Sequence, residues 1–206
     1  KKGEPLKAAT IAIRGVGGQG NLFFGKVLAQ VAFLAGYDDR NILKGETHGM
    51  AQMGGPVIST FGCGEVFSPA LVPGTANVLI AMEKAEVLRP GFLDLLEPGG
   101  TVLMADTRIL PHGLKPEAYP SDEAIAAQLE GYRVVSVDVL SIALNLGDPK
   151  GRCANVAMLG VLSTLPPFDV VPEAVWLQAL RGISRKPALW DLNHAAFMAG
   201  RGMQKG

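Results

Sequence analysis

Cysteine is scarce in this chain of 206 residues: only Cys63 and Cys153 occur, and neither belongs to a pair with metal-ligand spacing. No zinc or iron–sulfur site is therefore encoded. A disulfide stays open on count alone, but nothing suggests a secreted scaffold. Aromatic residues make up 6%, too few for a platform that stacks single-stranded nucleic acid. An excess of either charge is also missing, with 19 basic and 19 acidic residues and a formal net charge of zero. That balance argues against nucleic acid or a membrane surface as a partner bound through bulk charge, and leaves room for a local anion site. No apolar run reaches the roughly 20 residues of a membrane span, and the N-terminus lacks a signal-type apolar stretch, so the sequence reads as soluble and cytoplasmic. Internal repeats and low-complexity tracts are absent too.

Apolar residues, at 48%, suffice for one buried core, and the length suits a single domain. Short apolar runs alternate with helical patterns. "ATIAIRG", "PVISTFG", "ANVLIAM", "TVLMAD" and "RVVSVD" read as five strands. "GNLFFGKVLAQVAFLAG" reads as a helix that Gly36 stops, and "FLDLLEPGG" as the end of another, closed by a Pro98-Gly99-Gly100 turn. After Asp138 the pattern turns helical, with "VLSIALNLG", "CANVAMLGVLSTL", "PEAVWLQALRG" and "KPALWDLNHAAFMAG" in succession. The predicted fold is α/β: a Rossmann-like, mostly parallel sheet with helices on both faces and a helical C-terminal region. Residues 1–140 form the expected core and 141–206 the helical extension, which either packs on the sheet or serves as a docking arm. The tail "GRGMQKG" is expected to be loose.

The first strand runs into "RGVGGQGN", which opens the first helix. Gly15, Gly17 and Gly20 match G-x-G-x-x-G, and Gly18 adds another glycine. Such a loop turns tightly, lets backbone N–H groups approach an anion and presents the positive end of a helix. Nicotinamide binding is the sharper reading, and it lacks a well-placed acid. A ribose-gripping carboxylate belongs at the end of the second strand, whereas Asp38 and Asp39 sit at the start of the next segment. Phosphate or a partner's backbone fits the loop better, and an empty turn is the plain alternative.

A second breakable stretch, "GETHGMAQMGGPVIST", carries Gly45, Gly49, Gly54 and Gly55 ahead of Pro56. In a parallel sheet the segments after the first two strands emerge at one edge, where ligands gather. Gln19, Glu46, His48 and Gln52 then border one crevice. Glutamine can bond an amide or carbonyl, and histidine can contact an anion. The plain reading of His48 is a hydrogen bond within its loop. Met50 and Met53 suit an adaptable contact.

Taken together, "GVGGQGN", "ETHGMAQMGG", "ANVLIAMEKAEVLR", "EPGGTVLMAD" and "NVAMLG" resemble the gamma-type subunits of the 2-oxoacid:ferredoxin oxidoreductases, and among these the beta subunit of indolepyruvate ferredoxin oxidoreductase. The likeness runs in order from about residue 9 to residue 165. It implies a Rossmann-like subunit packed against thiamine-binding partners, in a complex that decarboxylates a 2-oxoacid oxidatively to an acyl-CoA. Thiamine diphosphate with its magnesium, and the iron–sulfur clusters leading to ferredoxin, are expected on the partner subunits, and coenzyme A is the group this chain would contact. The resemblance puts Gly15, Gly17, Gly18, Gln19 and Gly20 in a first loop, Glu46, His48, Gly49, Gln52, Gly54 and Gly55 in a second, and Asn155 at a helix start. One departure stands out: Met53 occupies a position where relatives usually carry arginine, which weakens any grip of this loop on phosphates. The chain has no G-D-G followed by asparagine, the usual thiamine diphosphate pattern, so it should be inactive alone.

Other residues have plainer readings. Glu83 and Glu86 are paired carboxylates in "EKAEVLR", and Glu86 with Arg89 is an i,i+3 ion pair. His112 reads as a turn residue and His194 as packing on a helix. Lys150 and Arg152 lie in a polar loop, and Trp176 and Trp190 in the helical end, as core or assembly surface. The rival functions are a stand-alone NAD(P)-binding oxidoreductase and a purely structural adaptor.

Overall fold

A computed structural model describes residues 6, 8–16, 21–48, 56–64, 72–110 and 113–203. Six strands form one sheet in the order β2-β3-β1-β4-β5-β6. They are β1 (Ala9–Val16), β2 (Ile42–His48), β3 (Pro56–Cys63), β4 (Ala76–Ala81), β5 (Leu96–Ala105) and β6 (Arg133–Val137). β1, β4, β5 and β6 run parallel. β3 runs antiparallel to both β1 and β2, so a hairpin extends a parallel half-sheet. The helices are α1 (Asn21–Leu34), α2 (Asp122–Gln128), α3 (Val139–Asn145), α4 (Ala154–Leu162), α5 (Glu173–Ile183) and α6 (Pro187–Gly202).

Period-two alternation sends β1 into two cores. Ile11 and Ile13 join Val78 and Ile80, Phe24, Val27 and Val31 of α1, and Val156, Leu159, Trp176 and Phe197 from the C-terminal helices. Ala12 faces the other way, into a smaller core with Leu79, Val102, Met104, Phe92 and Ile125. Both faces are covered, which is why "ANVLIA" reads as a mostly apolar run. The C-terminal helices thus lie on the sheet and share its larger core. Gly36 stops α1 as expected, with φ 103° and the Tyr37 N–H donating back to the Ala32 carbonyl at 3.0 Å.

Four local expectations are corrected. "ILKGETH", absent from the five strands read in the sequence, forms strand β2. It lies at the sheet edge and bonds only β3, so it needs no continuous apolar pattern. "PVISTFG" pairs antiparallel rather than parallel. The stretch read as a helix after β4 forms two 3-10 turns, Lys84–Leu88 and Leu93–Leu95. Pro90 and Gly91 (φ 79°) stand between them and prevent one helix from continuing. The Pro98-Gly99-Gly100 stretch lies within β5, where the pairing with β4 shifts register.

The C-terminal helices are locked by two glycines. A Cβ on Gly160 of α4 would overlap the Phe197 carbonyl of α6, and a Cβ on Gly200 of α6 would overlap the Ala157 carbonyl of α4. The backbones therefore cross in direct contact, which explains the glycine of "NVAMLG". Trp176 packs edge-on to Phe168, with ring centres 5.9 Å apart, and is fully buried. Arg201 spans the bundle, donating to Ser163 Oγ at 2.8 Å and pairing with Glu173 at 3.2 Å. Among the described residues no helix is long and apolar enough to cross a membrane.

Candidate functional site

The sheet brings the strand ends that flank the two glycine-rich segments to one edge. β1 ends at Val16, opposite Pro56, the first residue of β3, a strand position where proline costs no ladder bond. Gly15 and His48 are both paired with Val57, from opposite sides. Two strand spacings, about 10 Å, separate them. The exits of β1 and β2 and the entry of β3 therefore share an edge, as the sequence suggested, because β2 runs in the direction of β1 with the antiparallel β3 between them. Of the candidate residues, Gly15 sits in β1, and Glu46 and His48 have their backbones in β2. Gly17, Gly18, Gln19, Gly20, Gly49, Gln52, Gly54 and Gly55 lie outside the described residues, as do Met50, Met53 and His112.

Next to these strand ends lies the point where the strand order reverses, between the parallel strands β1 and β4. In open α/β sheets that crevice is the usual ligand seat. Here side chains fill part of it. Arg14, one residue before Gly15, pairs with Glu86 at 3.1 Å, with 11% and 3% of the two side chains exposed. Glu86 also holds Arg89 at 3.4 Å, and the Arg14 guanidinium lies 5.8 Å from the centre of the Phe92 ring. The ion pair expected for Glu86 is present, and the partner that sequence reading missed is Arg14. Its signal was a lone cation in an apolar strand.

Glu83 is different. It is 2% exposed and accepts from the Ala85 N–H at 3.1 Å, the Ile109 N–H at 3.5 Å and the Tyr119 hydroxyl. Burial raises its carboxyl to about 7, against the opposing effect of those backbone donors. Its neighbour Lys84 pairs with Asp106 at 2.9 Å and Asp122 at 2.7 Å. Together they fasten the connection between β5 and α2. A cleft of ≈ 450 Å³ opens beside them, lined by Glu83, Arg89, Ile109, Leu114 and Tyr119.

Asn155 is the second residue of α4. It lines a pocket of ≈ 260 Å³ with Phe23 from the first turn of α1, Arg152, and Ile183, Ser184, Leu189 and Asn193 from the junction of α5 and α6. The fold thus sets the "NVAMLG" helix start beside the helix that follows the first glycine loop. Phe23, Ser184 and Asn193 were not singled out from sequence, since their proximity depends on how the helices cross.

The acids considered for a ribose do not reach this edge. Asp38 caps the short turn before β2, accepting from the Arg40 N–H at 3.0 Å and pairing with its guanidinium at 3.1 Å. Asp39 begins that same turn, at the opposite end of β2 from His48.

The indolepyruvate oxidoreductase subunit IorB of Thermococcus kodakarensis is 33% identical over 201 residues, covering 95% of each chain. The crystal structure of the pyruvate oxidoreductase subunit PORC of Thermotoga maritima superposes with a TM-score of 0.68 at 21% identity, covering 94% of this chain and 95% of that one. A 2-oxoglutarate:ferredoxin oxidoreductase of Magnetococcus marinus, solved with 2-oxoglutarate, coenzyme A and succinyl-CoA bound, superposes at 0.69 and 19% identity, covering 97% of this chain but 31% of that one. These structures share the fold described above. The model of the pyruvate ferredoxin/flavodoxin oxidoreductase family matches residues 10–203, from β1 to the end of α6. A hairpin-extended half-parallel sheet, strand ends gathered at one edge and a glycine-locked helical end are therefore the form taken here by a member of the pyruvate ferredoxin/flavodoxin oxidoreductase family, to which the chain belongs.

Proposed function

We propose that this chain is the non-thiamine-binding subunit of a 2-oxoacid oxidoreductase complex that converts an aryl 2-oxoacid such as indolepyruvate to its acyl-CoA. The substrate class follows the names of its relatives, which are called indolepyruvate oxidoreductase subunits. Thiamine diphosphate, magnesium and iron–sulfur clusters belong to the partner subunits, and when bound there they supply the carbanion chemistry and the path for electrons. The complex works in the cytoplasm. This chain's share is to close the coenzyme A side of the site with Gly15, Gly17, Gly18, Gln19 and Gly20 from one loop and Glu46, His48, Gly49, Gln52, Gly54 and Gly55 from the other, while Asn155 belongs to the assembly surface.

The observation that carries this reading is the register of β2, β3 and β1, which aligns His48 and Gly15 on Val57. Segments that leave strand ends on one edge of a sheet can grip one ligand or one partner backbone. Against a free nicotinamide site stand the Arg14–Glu86 pair at the switch point and the position of Asp38. The test is an anaerobic pull-down of the tagged chain from its host. Coenzyme-A-dependent oxidation of aryl 2-oxoacids by an eluate containing a thiamine- and iron–sulfur-bearing partner is the expected result. A chain that emerges alone and binds NAD(H) or NADP(H) refutes it.

A further inference from the structure

We infer that the pocket between α1, α4 and the α5–α6 junction receives one large apolar side chain carried on an acidic segment of a partner subunit. The inference rests on the reading of this chain as one member of a complex. The pocket measures ≈ 260 Å³, just under the roughly 300–1,000 Å³ of small-molecule sites. A single anchoring side chain suits it better than a cofactor.

Its accessible wall is mostly apolar, from Phe23, Val156, Ile183 and Leu189. Of its polar lining residues, Asn193 and Ser184 are spent on each other, Asn193 Nδ2 donating to Ser184 Oγ at 2.8 Å with both residues buried, and Asn155 and Arg152 complete the polar part of the lining. Leu189 is 44% exposed at the rim, a large apolar group left for a partner to cover.

The surroundings are cationic. Arg152 lines the pocket, Lys150 precedes it by two positions, and Arg185 and Lys186 directly follow Ser184. Arg181 stacks on Trp190, 4.9 Å from its ring centre. Among the described residues no ion pair engages Lys150, Arg185 or Lys186. The opposing acids are Asp191, which is exposed, and Asp148, whose side chain is 1% exposed and lies 3.5 Å from Arg152. In a chain with 19 basic and 19 acidic residues, this is a local concentration of positive charge. It attracts an acidic segment and orients it, while the apolar floor holds the anchor. A bare phosphate would leave that floor empty.

The experiment uses the purified complex carrying Leu189→p-benzoylphenylalanine. Irradiation followed by mass spectrometry identifies what sits on the pocket. A crosslink to an acidic, apolar-containing segment of the thiamine-binding subunit is expected. Arg185→Glu/Lys186→Glu, a pair of exposed sites, should slow assembly roughly tenfold or more at low salt, with the difference fading as salt rises. A crosslink to a second copy of this chain, to a segment without net negative charge or to nothing in the assembled complex overturns the inference. So does protection of the site by added coenzyme A while the subunits stay assembled, or assembly that the charge reversal leaves unchanged. If the unsubstituted chain recovers no thiamine-bearing partner, the subunit reading itself fails and takes this inference with it. That outcome is distinct from a complex that forms without using the pocket.

Discussion

At the scale of single residues, buried charge marks where this chain departs from a plain α/β scaffold. Glu83 carries its proton up to about 7, against an ordinary value of 4.5, chiefly because it is buried. The sign follows directly. The folded state holds the proton more tightly than the unfolded one, so this contribution to stability is complete below about 4.5 and is lost as pH rises through about 7. Glu83→Gln has no proton to lose. The urea midpoint of the natural chain should therefore fall relative to that variant between pH 5 and 8, by about 2–3 kcal/mol in unfolding free energy. Parallel pH profiles would refute the assignment. Glu86 holds two arginines, one of them nearly enclosed. Glu86→Ala strands the Arg14 guanidinium and should cost about 3–5 kcal/mol in thermal or urea unfolding. A loss under 1 kcal/mol would show that water reaches Arg14. The carboxylates of "EKAEVLR" were visible in the sequence. Their partners Arg14 and Tyr119 were not, because the separations of 72 and 36 positions close only in the fold.

Elements were legible in proportion to how completely they are buried. β1, β4 and the buried part of β5 are mostly apolar because both faces of the sheet are covered, with polar interruptions such as Arg14, Asn77 and Thr101. β2 escaped because Lys44 is exposed and Gly45 and Glu46 interrupt the pattern. The 3-10 turns after β4 imitate a helix, since Val87, Leu93 and Leu96 all point inward. What was legible of the candidate residues is position alone: Gly15, His48 and Asn155 fall at strand and helix termini, which the sequence pattern locates. The pocket beside Asn155 was not, because Phe23, Ser184 and Asn193 converge only through helix crossing. The helices offer a contrast in sign. Gly160→Ala drives a Cβ into the α6 backbone and should cost well over 2 kcal/mol, as the helices must separate. Gly182→Ala in α5 meets nothing within 4 Å and should add about 0.5–1 kcal/mol by helix propensity alone. Equal shifts in the two melting temperatures would refute the contact assignment.

For the whole molecule, the question is whether the glycine edge takes part in turnover or only in assembly. Gln19→Ala and His48→Ala, made in the reconstituted complex, separate the two. A contribution to the coenzyme A side predicts intact assembly with kcat/KM for coenzyme A lowered about tenfold or more, the scale of one or two lost hydrogen bonds to a charged ligand. Unchanged turnover would leave the chain as a structural adaptor.

The strand order also has a consequence for synthesis. β1, the first strand among the described residues, stands third in the sheet, with β3 and β4 as its neighbours. Ile11 finds its parallel partner only at Val78. A growing chain must therefore carry an apolar, two-faced strand for more than sixty residues before the middle of the sheet can close, and the covering helices α4 to α6 come later still. Nascent chains of this topology expose their most aggregation-prone segment first and longest. Translation pauses upstream of β4 should thus lower soluble yield more than pauses within the C-terminal helices.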